Sequence, residues 1–204
     1  MSRESIARWL QEAARAVEAI DVAAVEAAAR ALLAVRERGG TIFTAGNGGS
    51  ASTASHLALD LQKAARANGN GPGARAHALS DNIGLITAWA NDVSFDRVFA
   101  EQLEVLARPG DALVVISVSG SSPNLITLLE TASRLRLLRV GLLGETGGRA
   151  RALVDVAVLV PTPDYGWVES AHVVLHHVLT YVLRDDVLGA GDPATVARES
   201  NRSR

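Results

Sequence analysis

Four of the chain's 5 histidines fall at spacings that can serve a reaction. His56 and Asp60 stand four apart, on one face of any helix that contains them. Such a pair binds a metal or moves a proton, and it equally makes an ordinary surface ion pair. Glu169, His172 and His176 recur at i, i+3 and i+7, one stripe of a helix, while His177 points elsewhere at 3.6 residues per turn. Periodicity alone selects His176 over His177, with an interface histidine as the bland alternative. The cysteine count is 0, so neither a thiol nucleophile nor a disulfide framework is available.

Serines form the second group. Thr41-Ile-Phe-Thr-Ala-Gly-Asn-Gly-Gly-Ser50 reads as a strand, a glycine-rich loop and a helix start, and Asp111 to Ser122 repeats the pattern with Ser117, Ser119, Ser121 and Ser122. Glycines let a backbone turn tightly and aim its N–H groups at a ligand, and the following helix adds its positive end. Hydroxyls and amides together hold a phosphate without a fixed cation. Serine also caps helices everywhere, so either loop alone decides nothing; two on one sheet favour an anion pocket. Gly46-Asn-Gly-Gly-Ser-Ala51 also fits the dinucleotide fingerprint, which needs an acidic residue about 20 positions on. The nearest candidate, Asp81, comes late.

The elements that must position these groups alternate. Helices are predicted over residues 3–20 and from an N-cap at Asp21 to Gly39-Gly40. A strand at 41–45 and a helix at 51–65 follow, then a turn-rich stretch from Asn68 to Gly73. Beyond it stand a strand at 74–79, helical segments near 82–90 and 95–107, a strand at 112–117 and a helix at 123–136. Strands at 139–143 and 154–160 and a helix at 167–185 complete the order. The strands are continuously apolar, which predicts an α/β three-layer sandwich around a five-stranded parallel sheet. The last helix carries apolar residues almost all round, so burial between subunits is expected.

The chain has 204 residues and 48% hydrophobic content, enough for one well-packed domain. One domain over 1–188 with a disordered tail over 189–204 is expected, the tail being rich in Gly, Asp, Arg and Ser. A net charge of −2 offers no field for nucleic acid. No run approaches the roughly 20 apolar residues of a membrane span, so a soluble cytoplasmic protein is expected.

Gly46-Asn-Gly-Gly-Ser50 with His56 six residues on, Ala90-Asn-Asp92, Ile116-Ser-Val-Ser-Gly-Ser-Ser122 and the histidine-bearing last helix resemble the sugar isomerase (SIS) family. The SIS fold is flavodoxin-like, with N-terminal helices and a C-terminal helix buried in the oligomer interface. More closely these residues resemble the phosphoheptose isomerases, over residues 5 to 185. The resemblance implies conversion of sedoheptulose 7-phosphate to D-glycero-D-manno-heptose 7-phosphate through an enediol, in a homotetramer that takes up a phosphorylated ketose. It implies that Asp60 and His177 are catalytic and that His56, Asp60, Glu169 and His177 hold zinc. It implies substrate contacts at Asn47, Gly48, Gly49, Ser50, Asn91, Asp92, Ser117, Val118, Ser119, Ser122 and Glu169. The chain departs from the family pattern at two of these, with Asp60 in place of the usual Glu and Glu169 in place of the usual Gln. Resemblance thus selects His177 where periodicity selects His176. Non-catalytic relatives that bind the replication initiator protein, or sense a sugar phosphate, are the alternative; the former lack a carboxylate at the position of Asp60.

Overall fold

The computed structural model describes residues 2–64 and 73–185. The tail beyond 188, and all of the 68–73 turn but Gly73, lie outside the described residues. The elements run α1 (Arg3–Glu18), α2 (Val22–Glu37), β1 (Thr41–Gly46), α3 (Gly49–Ala64), β2 (Arg75–Ala78) and α4 (Ile83–Asp92). They continue with α5 (Ala100–Leu106), β3 (Ala112–Ser117), α6 (Pro123–Arg134), β4 (Leu138–Leu143), β5 (Val156–Leu159) and α7 (Tyr165–Asp185). Short 3-10 turns stand at Phe95–Arg97 and Arg149–Ala152.

The five strands are all parallel, in the order β2-β1-β3-β4-β5, with Ile42 opposite Ala112 and Gly46 opposite Ile116. This is the flavodoxin-like order, whose switch point lies between β1 and β3. Both glycine and serine loops leave the sheet there. Successive strand residues face opposite layers, which is why every residue of β3 is buried. Ile42, Val114 and Ile116 pack with Leu32 of α2, Leu57 and Leu61 of α3, and Leu175 and Leu179 of α7. Phe43, Leu113 and Val115 pack with Leu103 of α5 and Leu125, Leu128 and Leu129 of α6. Each such side chain, fully buried, contributes about 1.5–3 kcal/mol.

Local signals explain the ends. Asp21 caps α2 through the Ala23 N–H at 2.9 Å, as its sequence position predicts, and Gly39 closes that helix at φ 76°. The strands at 74–79 and 154–160 are shorter than expected, running only Arg75–Ala78 and Val156–Leu159, although single backbone bonds to β1 and β4 continue at Leu79, Asp155 and Val160. Within one chain α7 is covered along part of its surface only. One stripe is inside, while Val173, Val174 and Val178 remain 41%, 40% and 39% exposed. The apolar residues Ile6, Trp9 and Leu10 of α1 are likewise exposed. Among the described residues no helix is long and apolar enough to cross a membrane.

Candidate active site

The first loop turns at Gly46 and Gly48. A Cβ at Gly46 would stand 2.6 Å from the Ser50 carbonyl, so glycine is required there, and the φ of 55° at Gly48 favours glycine although its Cβ position is open. The tight turn delivers Gly49 and Ser50 into the first turn of α3, two residues earlier than the expected start at 51. Ser50 is buried. The Glu169 carboxylate lies where a Gly49 side chain would be, its Oε1 2.5 Å from that Cβ position. An anion is favoured there by the positive end of α3.

The second loop is held from within. Ser117 Oγ accepts the Gly120 N–H at 3.0 Å, and Ser119 Oγ accepts the Ser121 N–H at 3.3 Å. Both hydroxyls therefore keep a proton to donate. Ser122 is the N-cap of α6 yet makes no capping bond through its side chain, so its hydroxyl is also free for a ligand. Val118 backs this loop, its carbonyl packed on Gly144. The two loops are tied together by a reciprocal amide pair: Asn47 and Asn124 donate to each other at 2.9 Å in both directions. Asn124 was not singled out in the sequence. A polar residue on the buried face of α6 was the available signal.

Asp60 is the meeting point of the histidines. Its Oδ2 lies 3.4 Å from His56 Nε2, 3.5 Å from His176 Nε2 and 3.6 Å from His177 Nδ1. The ring centroids are 4.4 Å apart for His56–His176, 5.2 Å for His56–His177 and 3.9 Å for His176–His177. Periodicity and resemblance each selected one of the adjacent histidines, and the structure brings in both. One nitrogen from each of His56, His176 and His177 can be chosen so that all three lie within 4.8 Å of one another, a grouping suited to a metal ion. Neither Glu169 nor Asp60 is in that grouping, although the sequence expectation put both in the metal set. The Glu169 carboxylate stands with the first loop, roughly two helical turns from His176.

Asn91 and Asp92 are exposed at the end of α4, where Asn91 donates to Asp92 at 2.8 Å. Among the described residues no hydrogen bond joins them to either loop. Asp81, the acid the dinucleotide fingerprint would need, accepts a hydrogen bond from Ser55 of α3.

Burial sets the charge of two histidines. His176 is lowered to about 4 by desolvation, with the neighbouring His177 and His56 adding to the shift. His172, one turn earlier and 1% exposed, is also lowered to about 4 by desolvation, softened by the Leu143 backbone, which makes no hydrogen bond to it. For His172 the folded chain stays neutral where the unfolded chain takes up a proton near 6.5. Stability from this group is therefore whole above that value and lost as pH falls toward 4, by about 3 kcal/mol for the full shift. Urea unfolding with a chelator present, from about pH 7 to about pH 4, is expected to show this loss, and His172→Leu to reduce it, leaving the share that His176 contributes. Equal slopes for the two proteins would remove His172 as the cause.

The SIS domain family model matches residues 8–144. The chain is 37% identical over 173 residues to the phosphoheptose isomerase of Trichlorobacter lovleyi, covering 85% of this chain and 87% of that one. It is 43% identical over 142 residues to the phosphoheptose isomerase of Chlorobaculum parvum, covering 69% and 68%. The solved phosphoheptose isomerase of Neisseria gonorrhoeae superposes with a TM-score of 0.82 at 33% identity, over 89% of this chain and 97% of that one.

Proposed function

The chain belongs to the phosphoheptose isomerases of the SIS-domain family, and from that premise we propose which of its residues perform the isomerisation. The reaction is an intramolecular aldose–ketose isomerisation of a sugar phosphate, sedoheptulose 7-phosphate to a heptose 7-phosphate. The observation that carries the assignment of roles is the convergence of Asp60 with three imidazoles beside two amide-tied loops at the β1/β3 switch point.

Ser117, Ser119 and Ser122 take the phosphate, donating hydroxyl protons at the start of α6. Fixing that end makes the step at the sugar's other end effectively unimolecular. Asn47, Gly48, Gly49, Ser50 and Glu169 line the first loop and receive sugar hydroxyls. With Glu169 already at the positive end of α3, the second loop is left as the phosphate cradle. Asp60 Oδ2 is turned to the imidazoles, while Oδ1 accepts no hydrogen bond among the described residues. Oδ1 is therefore the atom that takes a proton from one of C1 and C2 and returns it to the other, through an enediol. His177, half-exposed, exchanges protons with the two oxygens. The donor set fits zinc, and His56, Asp60 and His177 would hold it. When bound, zinc supplies a Lewis acid that polarises the substrate carbonyl.

The exposed apolar faces of α1 and α7 support assembly as a homotetramer, since contiguous apolar surface of this kind is normally covered. Asn91 and Asp92 would then serve substrate across a subunit boundary. A charged sugar phosphate stays in the compartment that makes it, which supports a cytoplasmic location. The retained Asp60 favours catalysis over a purely binding role.

Incubation with sedoheptulose 7-phosphate and zinc is expected to yield the aldose phosphate by chromatographic product analysis. Absence of any aldose would count against the assignment. Ser119→Ala removes one donor to a charged group, worth about 1.5–3 kcal/mol, so KM is expected to rise about tenfold or more with little change in kcat. An unchanged KM would take Ser119 out of the phosphate site.

A further inference from the structure

His176 has no role in the chemistry above, yet it is the most deeply placed member of its cluster. It is 0% exposed, and neither ring nitrogen has a hydrogen-bond partner. A buried polar group left unpaired costs about 1–3 kcal/mol, and such a group marks the place of a missing partner or ion. What faces it is chemically specific: Asp60 Oδ2 at 3.5 Å from Nε2, and the rings of His56 and His177 at 4.4 Å and 3.9 Å. None of these satisfies it as a hydrogen bond, and two further imidazoles are poor company for a nitrogen lone pair unless a cation sits among them.

The spacings agree with that cation. Zinc holds nitrogen and oxygen donors at about 2.0–2.2 Å, so neighbouring donors in a tetrahedral shell lie roughly 3.4 Å apart. One nitrogen of each imidazole can be chosen so that the three lie within 4.8 Å of one another, and Asp60 Oδ2, 3.4, 3.5 and 3.6 Å from one nitrogen of each ring, is near enough to join them by a side-chain shift. We infer that His176 is itself a metal ligand, completing a shell of three imidazoles and one carboxylate with His56, His177 and Asp60, while Glu169 remains outside it. This rests on the reading that the cluster binds zinc.

The assignment has a chemical consequence. A shell with Asp60 as its single anion leaves the dication a net charge of +1, whereas a shell containing Glu169 as well would be neutral. The three-imidazole shell is the more electrophilic. His56 and His177, at 48% and 55% side-chain exposure, keep one side of the cluster open to a non-protein ligand.

The test reads metal binding rather than turnover. Metal-free protein is titrated with zinc against a chromophoric chelator, and zinc-edge X-ray absorption counts the imidazoles, for wild type, His176→Leu and Glu169→Gln. Wild type is expected to give three imidazoles. His176→Leu should give two and weaken zinc binding at least tenfold, since losing even a partner of a ligand costs about 10–100-fold. Glu169→Gln should leave both readouts unchanged. Should His176→Leu fail to fold, the wild-type count decides by itself. Two imidazoles in the wild type, or zinc lost from Glu169→Gln and retained by His176→Leu, would overturn the inference. An active isomerase holding zinc through His56, Asp60, Glu169 and His177 would overturn this inference alone, leaving the proposed activity intact.

Discussion

Replacing Asp60 by asparagine is expected to lower kcat for sedoheptulose 7-phosphate by about 10²- to 10⁴-fold, the usual worth of a positioned proton-transfer group. The substitution keeps size and shape but removes the charge that can accept a proton from carbon. Its effect on the fold should be small, because Asp60 is held by three imidazoles at 3.4–3.6 Å rather than by the core, and its side chain is 20% exposed. Initial rates by product analysis, with circular dichroism and size-exclusion chromatography as controls on folding and assembly, check this. A kcat within about threefold of wild type would exclude Asp60 as the base. His177→Ala should behave alike if it serves the oxygens, with the difference that an added small imidazole can restore part of the rate.

The second large effect is structural. Gly120 adopts φ 59°, and a Cβ there would overlap the carbonyl oxygen of Gly147. The contact is mutual: Gly148, at φ 51°, would with a Cβ overlap the Ser119 carbonyl oxygen and Ser121 Oγ. The Ala150 N–H donates to the Gly120 carbonyl at 2.8 Å and the Arg149 N–H to Ser121 Oγ at 3.4 Å, so the serine loop is seated closely on the turn that follows β4. Gly120→Ala combines a left-handed backbone with a clash against main chain. It is expected to cost about 3 kcal/mol, or roughly 6–12 °C in Tm for a chain of this size. KM should rise as well, because Ser119 and Ser121 must move. Gly39 is the matched control, with φ 76° and nothing within 4 Å of its Cβ position, so Gly39→Ala should cost only about 1 kcal/mol. Equal melting temperatures for the two variants would mean the loop contact carries no stability.

The sheet was legible because parallel strands covered on both faces are apolar without interruption, as Ala112 to Ile116 are, and because glycine and serine clusters mark where such strands end. Asp21 as a cap and Gly39 as a stop follow from local chemistry alone. Strand lengths were overestimated at β2 and β5, since an apolar residue beside the sheet reads like one within it. The helical stripe Glu169, His172, His176 contains the two histidines of α7 that lie inward, His172 and His176 being 1% and 0% exposed. It could not foresee that the His177 ring turns back to Asp60 from an exposed position, because side-chain torsions leave no mark on periodicity. Nor could spacing show that Glu169 reaches the first loop instead of the imidazoles, a matter of where α7 crosses α3. The Asn47–Asn124 pair spans 77 residues, and long-range amide partners are invisible without coordinates.

A crystal structure of the Asp60→Asn protein with sedoheptulose 7-phosphate bound is the most direct test of this arrangement. The phosphate is predicted to accept hydrogen bonds from Ser119 and Ser122 at the start of α6, with C1 and C2 beside residue 60 and His177. A phosphate seated instead at the start of α3, or C1 and C2 pointing away from the imidazoles, would contradict it.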